Sequence, residues 1–299
     1  MESRIKLGVI GLSDGNGHPY SWSAIFNGYD PREMGECGFP AIPRYLARQK
    51  WPEDAIAGAL VTHVWTQDRK LSEHVARAAR IPNVVDSFTD MMGKVDGLLL
   101  ARDDADTHLK FASPYLEYGT PVYIDKPMAL TVSDAERLFA MERYPGQIFT
   151  CSALRYAKEF KLSAELRAAI GSIRHIHALA PKDWNRYAIH VVEPMLVLAG
   201  EVGALRRSDV WHQDDVTVAN LVWERGFRAT VSTMGALPAP LALRIFGQNG
   251  WRELVFADSF HAFKAALSEF VQSVRDRDIR IPRQFVLDIV RIIEAGRQA

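Results

Sequence analysis

Thr120-Pro121-Val122-Tyr123-Ile124-Asp125-Lys126-Pro127 is a short apolar run that ends in two charged residues and a proline. It follows an apparent helix that stops at Gly119, which is the pattern of a buried strand entered from a helix. In open α/β sheets, ligands bind at the carboxyl ends of the strands. Lys126 can reach a ligand from that edge, and Pro127 fixes the backbone of the loop that presents it. The stretch therefore predicts an α/β sheet with a reactive loop after one strand.

Three other apolar runs of strand length precede this one, and helical patterns separate them. The runs are 5–11, 56–65 and 95–101, and the helical patterns are 21–26, 70–80 and 105–118. Strands that alternate with helices in this way indicate parallel βαβ units. We therefore predict that residues 1–127 form a Rossmann-type domain, a doubly wound parallel sheet that binds a dinucleotide.

The pattern changes after residue 128. Ser133 and Glu136 have the spacing of a capping box and predict the start of a helix. Alternating segments then follow at 172–178, 216–223, 227–233 and 241–246, and helical periodicity returns from residue 260 onward. Such segments are typical of antiparallel sheets. We predict that residues 128–299 form an α+β domain on an open, largely antiparallel sheet.

Composition limits the kinds of partner. The 36 Lys and Arg residues equal the 36 Asp and Glu residues, so no basic surplus indicates nucleic acid. A small molecule is the expected ligand. No apolar run approaches the roughly 20 residues that span a bilayer. The start of the chain leads directly into a strand. We expect no membrane contact and a cytoplasmic location.

Cysteine and histidine usage predicts no metal site. Cys37 and Cys151 are the only cysteines, and they are too few for a disulfide framework or a multi-cysteine zinc site. His175 and His177 alternate along a strand, and His108 is isolated, without a compact set of carboxylates nearby.

Five short signals occur in order along the chain. They are His108 after the third strand, Gly119, Asp125-Lys126-Pro127, Arg155-Tyr156 and Ala188-Ile189-His190-Val191-Val192-Glu193. Together they resemble the glucose-fructose oxidoreductase and inositol dehydrogenase (Gfo/Idh/MocA) family, which usually has Glu-Lys-Pro where this chain has Asp-Lys-Pro. The resemblance covers nearly the whole chain. It implies a Rossmann domain and a second domain with an open mixed sheet, residues 128–299, which binds substrate and forms oligomers. The implied homo-oligomer is either a dimer or a tetramer.

The resemblance also implies NAD or NADP as cofactor, with the pyrophosphate near the first glycine-rich turn. Gly11 matches the family's first glycine, but Ser13 occupies the second position, and Gly15 and Gly17 follow in an apparent insertion. Ser13 could donate its hydroxyl to a phosphate or obstruct the close approach that glycine permits, and we favour the first. His108, Asp125 and Lys126 complete the implied contacts at the other end of the cofactor.

The end of the second strand is where an acid normally binds the ribose of NAD, and this chain has no acid there. Thr66 with Arg69 or Lys70 could hold the extra phosphate of NADP, while Asp68 could serve NAD from a shifted register. We slightly favour NADP. The simpler alternative makes Arg69 and Lys70 ordinary solvated residues at a helix start.

Two residues are implied to handle the proton of the reaction. His190 is the first candidate for proton transfer, and Lys126 would bind the same substrate oxygen. Many family members have an aspartate one helical turn before the histidine, where this chain has Arg186. An arginine lowers the basicity of the histidine or binds an anionic substrate group. Tyr187 is therefore an alternative acid/base.

Further residues are expected at the substrate. Glu193, one turn after His190, could orient the imidazole or simply stabilise local structure. The other implied substrate contacts are Arg155, Tyr156, Asn185 and Arg186. The long segment 15–51 carries aromatic and polar side chains that suit a sugar or nucleotide ring, and from it we expect Tyr20 and Asn27 at the substrate mouth.

The expected function is an NAD(P)-dependent oxidoreductase that transfers a hydride between nicotinamide and a hydroxyl or keto carbon. The substrate would be a sugar, a sugar derivative, a nucleotide-linked sugar or a cyclitol. One alternative is a relative that keeps NAD bound during elimination or glycoside cleavage. Another is a catalytically silent sensor of dinucleotides or sugars, which the unusual Ser13 and Arg186 would suit.

Overall fold

The computed structural model describes residues 4–297. The chain divides into two compact units. The first contains the chain up to Met128 together with Glu136–Thr150 and Phe263–Pro282. The second contains Ala129–Ala135, Cys151–Ala262 and the chain from Arg283. The boundary predicted after residue 127 lies at the first crossing between the units, but two later segments return to the first unit.

Six parallel strands form the sheet of the first unit, in the order β3-β2-β1-β4-β5-β6. Their bounds are β1 Ile5–Ile10, β2 Ala59–Trp65, β3 Asn83–Val84, β4 Gly97–Leu100, β5 Val122–Ile124 and β6 Ile148–Phe149. This is the Rossmann strand order, in which the direction of winding reverses between β1 and β4. The predicted doubly wound sheet is confirmed. The prediction missed the two-residue strand β3, so Asp125 follows the fifth strand and not the fourth.

The helices differ in length and several are short. In chain order they are α1 His18–Asn27, α2 Pro31–Gly35, α3 Ala41–Leu46, α4 Arg69–Ala78, α5 His108–Tyr118, α6 Val132–Ala140, α7 Ala164–Ile170, α8 Trp184–Tyr187, α9 Ile189–Ala199, α10 Ser259–Asp276 and α11 Arg283–Ala295. Helix α6 begins earlier than the predicted capping box at Ser133, because the Thr131 hydroxyl accepts the Asp134 N–H at 3.1 Å. The capping pair has the predicted spacing but lies two residues earlier.

An aromatic contact explains why β6 and most of α10 belong to the first unit. The ring centroid of Tyr123 on β5 lies 4.7 Å from that of Phe149 on β6 and 5.6 Å from that of Phe270 on α10. Phe270 and Leu267 of α10 are fully buried. Aromatic clusters of this kind contribute both buried area and ring–ring attraction. The first core is therefore completed by residues from near the end of the chain.

The second unit is built on a mixed sheet in the order β12-β11-β7-β10-β9-β8. Its strands are β7 Ile173–Ala180, β8 Leu205–Gln213, β9 Val216–Trp223, β10 Arg228–Thr233, β11 Ala242–Gly247 and β12 Trp251–Val255. Only the β7–β10 pair is parallel within the described chain, so the predicted largely antiparallel sheet is confirmed. Helices α9 and α11 pack on this sheet. Trp211, Phe246 and Trp251 remain exposed on its strands.

None of the helices between residues 4 and 297 combines the length and apolar character needed to cross a membrane. In the same range, no three His, Cys, Asp or Glu side chains converge as metal ligands.

The role of α10 in the first core can be tested with a matched pair of substitutions. Leu267→Ala should lower the free energy of unfolding by about 3 kcal/mol, because it leaves a cavity under α10. Leu237→Ala removes the same atoms from a side chain that is 53% exposed, and should cost less than about 1 kcal/mol. Urea unfolding followed by circular dichroism measures both. Equal small losses would contradict the packing described here.

Candidate active site

The loops after β1, β4 and β5 lie side by side, because these three strands are neighbours in the sheet. Lys126, in the loop after β5, is buried, and its Nζ lies 3.5 Å from Asp103 Oδ2 in the loop after β4. Ser13, in the loop after β1, donates its hydroxyl to Asp103 Oδ1 at 2.6 Å. The counter-ion of Lys126 is therefore Asp103. Sequence reasoning missed Asp103, although charged residues directly after a buried strand were the signal that identified Lys126.

Asp125 does not pair with the Lys126 ammonium and binds other groups instead. It is 1% exposed, and Oδ2 accepts hydrogen bonds from His18 Nδ1 at 2.5 Å and from Asn16 Nδ2 at 2.8 Å. Oδ1 accepts the Lys126 N–H at 2.8 Å. Burial would raise the pKa of Asp125, but His18, Lys126 and Asn16 together hold that pKa below its usual value. Asp125 is therefore an ionised carboxylate near neutral pH.

His18 is fixed in orientation by aromatic rings. Its ring stacks on Trp22 with centroids 4.7 Å apart, and Trp22 in turn stacks on Tyr123 at 4.7 Å. Phe263 of α10 meets the His18 ring edge-on at 5.1 Å. The long segment before the second strand, predicted to bring polar and aromatic groups to a ligand, thus contributes a histidine at the carboxyl edge of the sheet.

Of the three glycines at 11, 15 and 17, one has a backbone that a dinucleotide could approach. A side chain on Gly11 would meet Pro19 Cγ at 2.2 Å, and one on Gly17 would meet Ile42 Cδ1 at 2.6 Å, so these two glycines allow close packing inside the protein. Gly15 has φ +74° and open space in front of it. The backbone is approachable there, as a diphosphate requires. These residues fit a dinucleotide cofactor through Gly15, whereas Ser13 has directed its hydroxyl proton to Asp103 instead of outward.

The residues predicted at the ribose make internal contacts. Thr66 is buried, and its hydroxyl donates to Asp68 O at 2.7 Å. Asp68 caps α4 by accepting the Leu71 N–H at 2.9 Å. Arg69 is exposed and pairs with both Glu73 and Asp86. Two carboxylates already balance the Arg69 charge, which weakens the sequence argument for an extra phosphate.

His108 ties two loops together. Its Nδ1 lies 2.9 Å from Met128 O and its Nε2 lies 2.8 Å from Arg102 O, and the side chain is fully buried. Both ring nitrogens are therefore occupied by backbone carbonyls of the loops after β5 and β4. In place of the implied contact with a cofactor, His108 supports the loop that carries Lys126.

Tyr20 and Asn27 also have internal roles, contrary to their predicted place at a substrate mouth. Tyr20 is 1% exposed and its hydroxyl lies 2.6 Å from His74 Nδ1. Burial raises the pKa of Tyr20 to about 12. The Asn27 side chain bonds both backbone groups of Val61, at 2.8 and 3.0 Å. Tyr20 therefore holds α1 against α4, and Asn27 holds it against β2. Helix α1 is buried along most of its length.

In the second unit, Glu193 is bound by two donors. It is 1% exposed, and it accepts from Arg155 Nη1 at 3.0 Å and from the Ser152 N–H at 2.6 Å. Burial raises the pKa of Glu193 to about 7, although Arg155 and Ser152 act in the opposite direction. The Ser152 hydroxyl lies 2.8 Å from His190 Nδ1. Glu193 thus reaches His190 only through Ser152, and it does not orient the ring directly.

Three of the other predicted residues of this unit, Asn185, Arg186 and Tyr187, belong to α8. Tyr187 meets the His190 ring edge-on at 5.3 Å, and its hydroxyl accepts a hydrogen bond from Lys182 Nζ. The Arg186 N–H donates to Asp183 at 3.0 Å. Asn185 lines an open cavity of about 400 Å³ together with Asp183, His212, Asp214 and Asp215. Tyr156 lies under the Arg155 guanidinium at 5.7 Å.

With this geometry established, the comparisons with known proteins can be stated. Residues 36–152 match the family model GFO_IDH_MocA, described as an oxidoreductase family with an NAD-binding Rossmann fold. The resemblance to the Gfo/Idh/MocA family is confirmed. The match begins after the glycine-rich turn.

Among curated proteins, the YceM protein of Salmonella typhimurium is 27% identical over 156 residues, which is 48% of this chain. The match spans about half of that relative, namely 49% of its length. Solved structures match over nearly the whole chain. Scyllo-inositol dehydrogenase from Lactobacillus casei has a TM-score of 0.75 at 13% identity, with 99% of this chain and 96% of that chain covered.

Two further solved structures show the same fold. Myo-inositol 2-dehydrogenase from Lactobacillus plantarum has a TM-score of 0.75 at 14% identity, and 99% of this chain and 97% of that chain are covered. UDP-N-acetylglucosamine 3-dehydrogenase GnnA from Acidithiobacillus ferrooxidans has a TM-score of 0.73 at 15% identity, with the same coverage of 99% and 97%. At these identities the likeness establishes the fold of both units.

The buried ion pair of the second unit generates one prediction. At about pH 8, above the raised pKa of Glu193 of about 7, Arg155→Met should lower the free energy of unfolding by about 3 kcal/mol, because it leaves the ionised Glu193 carboxylate buried without its cation. Arg225→Met removes an exposed arginine paired with Glu201 at 2.9 Å and should cost less than about 1 kcal/mol. Denaturant titration measures both variants. A loss for Arg155→Met no larger than for Arg225→Met would contradict a buried ion pair.

The raised pKa of Glu193 generates a second prediction. The folded protein holds the Glu193 proton up to about pH 7, whereas the unfolded chain releases it near the ordinary value of 4.5. Since the folded state binds more protons in this window, stability should fall as pH rises from 4.5 to 7. Glu193→Gln lacks this component. The unfolding free energy of the wild type minus that of Glu193→Gln should therefore decrease as pH rises from 4.5 to 7. A constant difference would refute the raised pKa of Glu193.

Proposed function

We propose that this protein is an NAD-dependent oxidoreductase that acts on a hydroxyl or keto carbon of a sugar, a sugar derivative, a nucleotide-linked sugar or a cyclitol. The observation that carries the proposal is the buried Lys126 ammonium at the carboxyl edge of a Rossmann sheet, held by Asp103 at 3.5 Å. A lysine in such a site is kept for chemistry more often than for stability, because burial of its charge is costly.

The cofactor would lie across the crevice between β1 and β4, where the strand order reverses. Gly15 would face the diphosphate with its backbone, and Lys126 would lie toward the nicotinamide end. When bound, the nicotinamide would supply the hydride acceptor or donor. Lys126 would hold the substrate oxygen and stabilise negative charge that develops on it.

NAD is favoured over NADP on two grounds. The family that matches residues 36–152 is described as NAD-binding. The cation that sequence reasoning assigned to the extra phosphate, Arg69, is already paired with Glu73 and Asp86. A phosphate would have to displace two carboxylates to reach it.

The substrate class is supported by the solved relatives. They are named for scyllo-inositol, myo-inositol and UDP-N-acetylglucosamine. These molecules share a ring of secondary hydroxyl groups. Lys126 suits such a substrate because its ammonium can donate several hydrogen bonds. In the second unit, His190 and Tyr187 are the proton-transfer candidates that the family resemblance implies, with Asn185, Arg186 and Tyr156 as proposed substrate contacts.

The open face of the second sheet supports a homo-oligomer. Phe246 lies opposite Trp251 on adjacent strands, and both are exposed, as is Trp211 near the other edge. Large aromatic side chains on an uncovered sheet are typical of an interface between subunits.

Fluorescence titration with NADH and NADPH tests the cofactor, and absorbance at the nicotinamide band tests turnover of scyllo-inositol, myo-inositol and UDP-N-acetylglucosamine. We expect NADH to bind more tightly than NADPH. Lys126→Met should lower turnover about 100-fold or more while NADH binding changes little, since the ammonium acts on the substrate oxygen.

Lys264→Met is the matched control, because Lys264 belongs to the same unit and pairs with Asp54 at its half-buried position. It should keep wild-type turnover. Binding of neither nucleotide would overturn the proposal and favour a sensor of another ligand. Turnover without net NADH release would instead favour the relative that keeps its cofactor bound.

A further inference from the structure

A histidine from the segment that follows β1, His18, contacts the loop that carries Lys126. His18 is the first residue of α1, and Asn16 lies just before it. Both side chains bind the same oxygen of Asp125, at 2.5 and 2.8 Å. Asn16 also accepts the His18 N–H at 2.8 Å, which fixes the backbone that presents the imidazole. Neither contact depends on a cofactor, so the arrangement is built into the first unit.

Asp125 serves His18 and not Lys126. Its two carboxylate oxygens take up the His18 ring, the Asn16 amide and the next backbone N–H. The Lys126 ammonium is bound by Asp103 instead. Asp125 and His18 therefore form one arrangement, which is separate from the Lys126–Asp103 pair.

The contact also determines which nitrogen of His18 is free to react. An ionised carboxylate only accepts hydrogen bonds, so Nδ1 must carry the hydrogen that it donates to Asp125. In the neutral ring, Nε2 then has the lone pair. Within residues 4–297, Nε2 makes no hydrogen bond, and the side chain is 16% exposed. The ring cannot easily rotate, because Trp22 and Phe263 pack against it.

We propose that His18, in place of the implied His190 or Tyr187, is the catalytic proton-exchanging residue of the reacting centre. Asp125 and Asn16 are its positioning residues. The assignment rests on the proposed function. Oxidation of a secondary alcohol breaks its C–H and O–H bonds and forms the carbonyl double bond, with the hydride passing to the nicotinamide. The remaining proton passes to the lone pair of His18 Nε2 and then to solvent. Reduction uses the same groups in reverse.

The charges around His18 support this role. Asp125 contacts Nδ1 and stabilises the imidazolium that forms, as a buried carboxylate does in a histidine–aspartate pair. Lys126 is the other charged group in the loop after β5, and Asp103 balances it. Helix α10 presents the uncharged Phe263 ring, and β5 presents Tyr123 behind Trp22. By contrast, His190 Nδ1 lies against the neutral hydroxyl of Ser152.

Nitrogen NMR of the histidine side chains tests the assignment without requiring the true substrate. In wild-type protein, His18 should show a hydrogen on Nδ1, the nitrogen that contacts Asp125. Addition of NADH should shift the Nε2 resonance of His18. His74 is a matched control in the same unit, because its Nδ1 bonds the Tyr20 hydroxyl and its side chain is 19% exposed. Its resonances should change little.

Kinetics with scyllo-inositol as substrate provide the second readout. His18→Ala should lower kcat at least about 100-fold, and added imidazole should restore part of it, since the base is removed but its site remains. The pH profile of kcat/KM should lose its rise toward neutral pH. His74→Gln should retain both the rate and the profile. Thermal melting of each variant shows that it is folded.

The outcomes separate this assignment from the proposed function. NADH binding with an unshifted His18 resonance, or an unchanged pH profile in His18→Ala, would overturn the role of His18 and leave the oxidoreductase proposal standing. Failure of both NADH and NADPH to bind would overturn both.

Discussion

The first unit depends on a cluster of opposite charges buried at one edge of its sheet. Lys126 is paired with Asp103, and Asp125 is paired with His18. The cluster joins three loops that follow β1, β4 and β5. A buried charge without a partner costs several kcal/mol, roughly 3–5 when one member of a pair is removed. The Lys126–Asp103 pair therefore holds the loop after β5 to the loop after β4, and the Asp125–His18 pair holds the loop after β5 to the segment after β1.

The supporting residues around this cluster are polar groups that bind backbone atoms. His108 links the loops after β4 and β5 through two carbonyls, and Ser13 links β1 to β4 through Asp103. Such contacts stabilise one loop arrangement more than they add to overall stability. They explain why a short tripeptide after β5 can hold a lysine side chain in a nearly dry position. The Lys126 side chain is therefore held in one position by neighbouring polar groups.

The fold could be predicted from the sequence because the central strands are apolar and bounded by helices. The strands that were missed, β3, β8 and β12, lie at sheet edges, where side chains face water and the alternation is weak. The site was predicted less completely. Lys126 could be identified because it follows a buried strand, whereas the pairing of Asp125 with His18 joins residues 107 positions apart. Tyr20 and Asn27 were predicted at the substrate because the sequence does not show what a polar side chain binds. On a buried helix, such a side chain can form hydrogen bonds with the backbone or with a histidine as readily as with a ligand.

The chain crosses between its two units five times, at Met128, Ala135, Thr150, Ala262 and Pro282. Neither unit is therefore a continuous piece of sequence that could be expressed alone. A fragment that stopped at Pro127 would end its sheet at β5, with a row of unpaired backbone groups, and would leave Tyr123 without Phe149 and Phe270. The first unit acquires its last strand, β6, halfway along the chain, and it acquires the part of its core that α10 supplies only when most of the chain has been made.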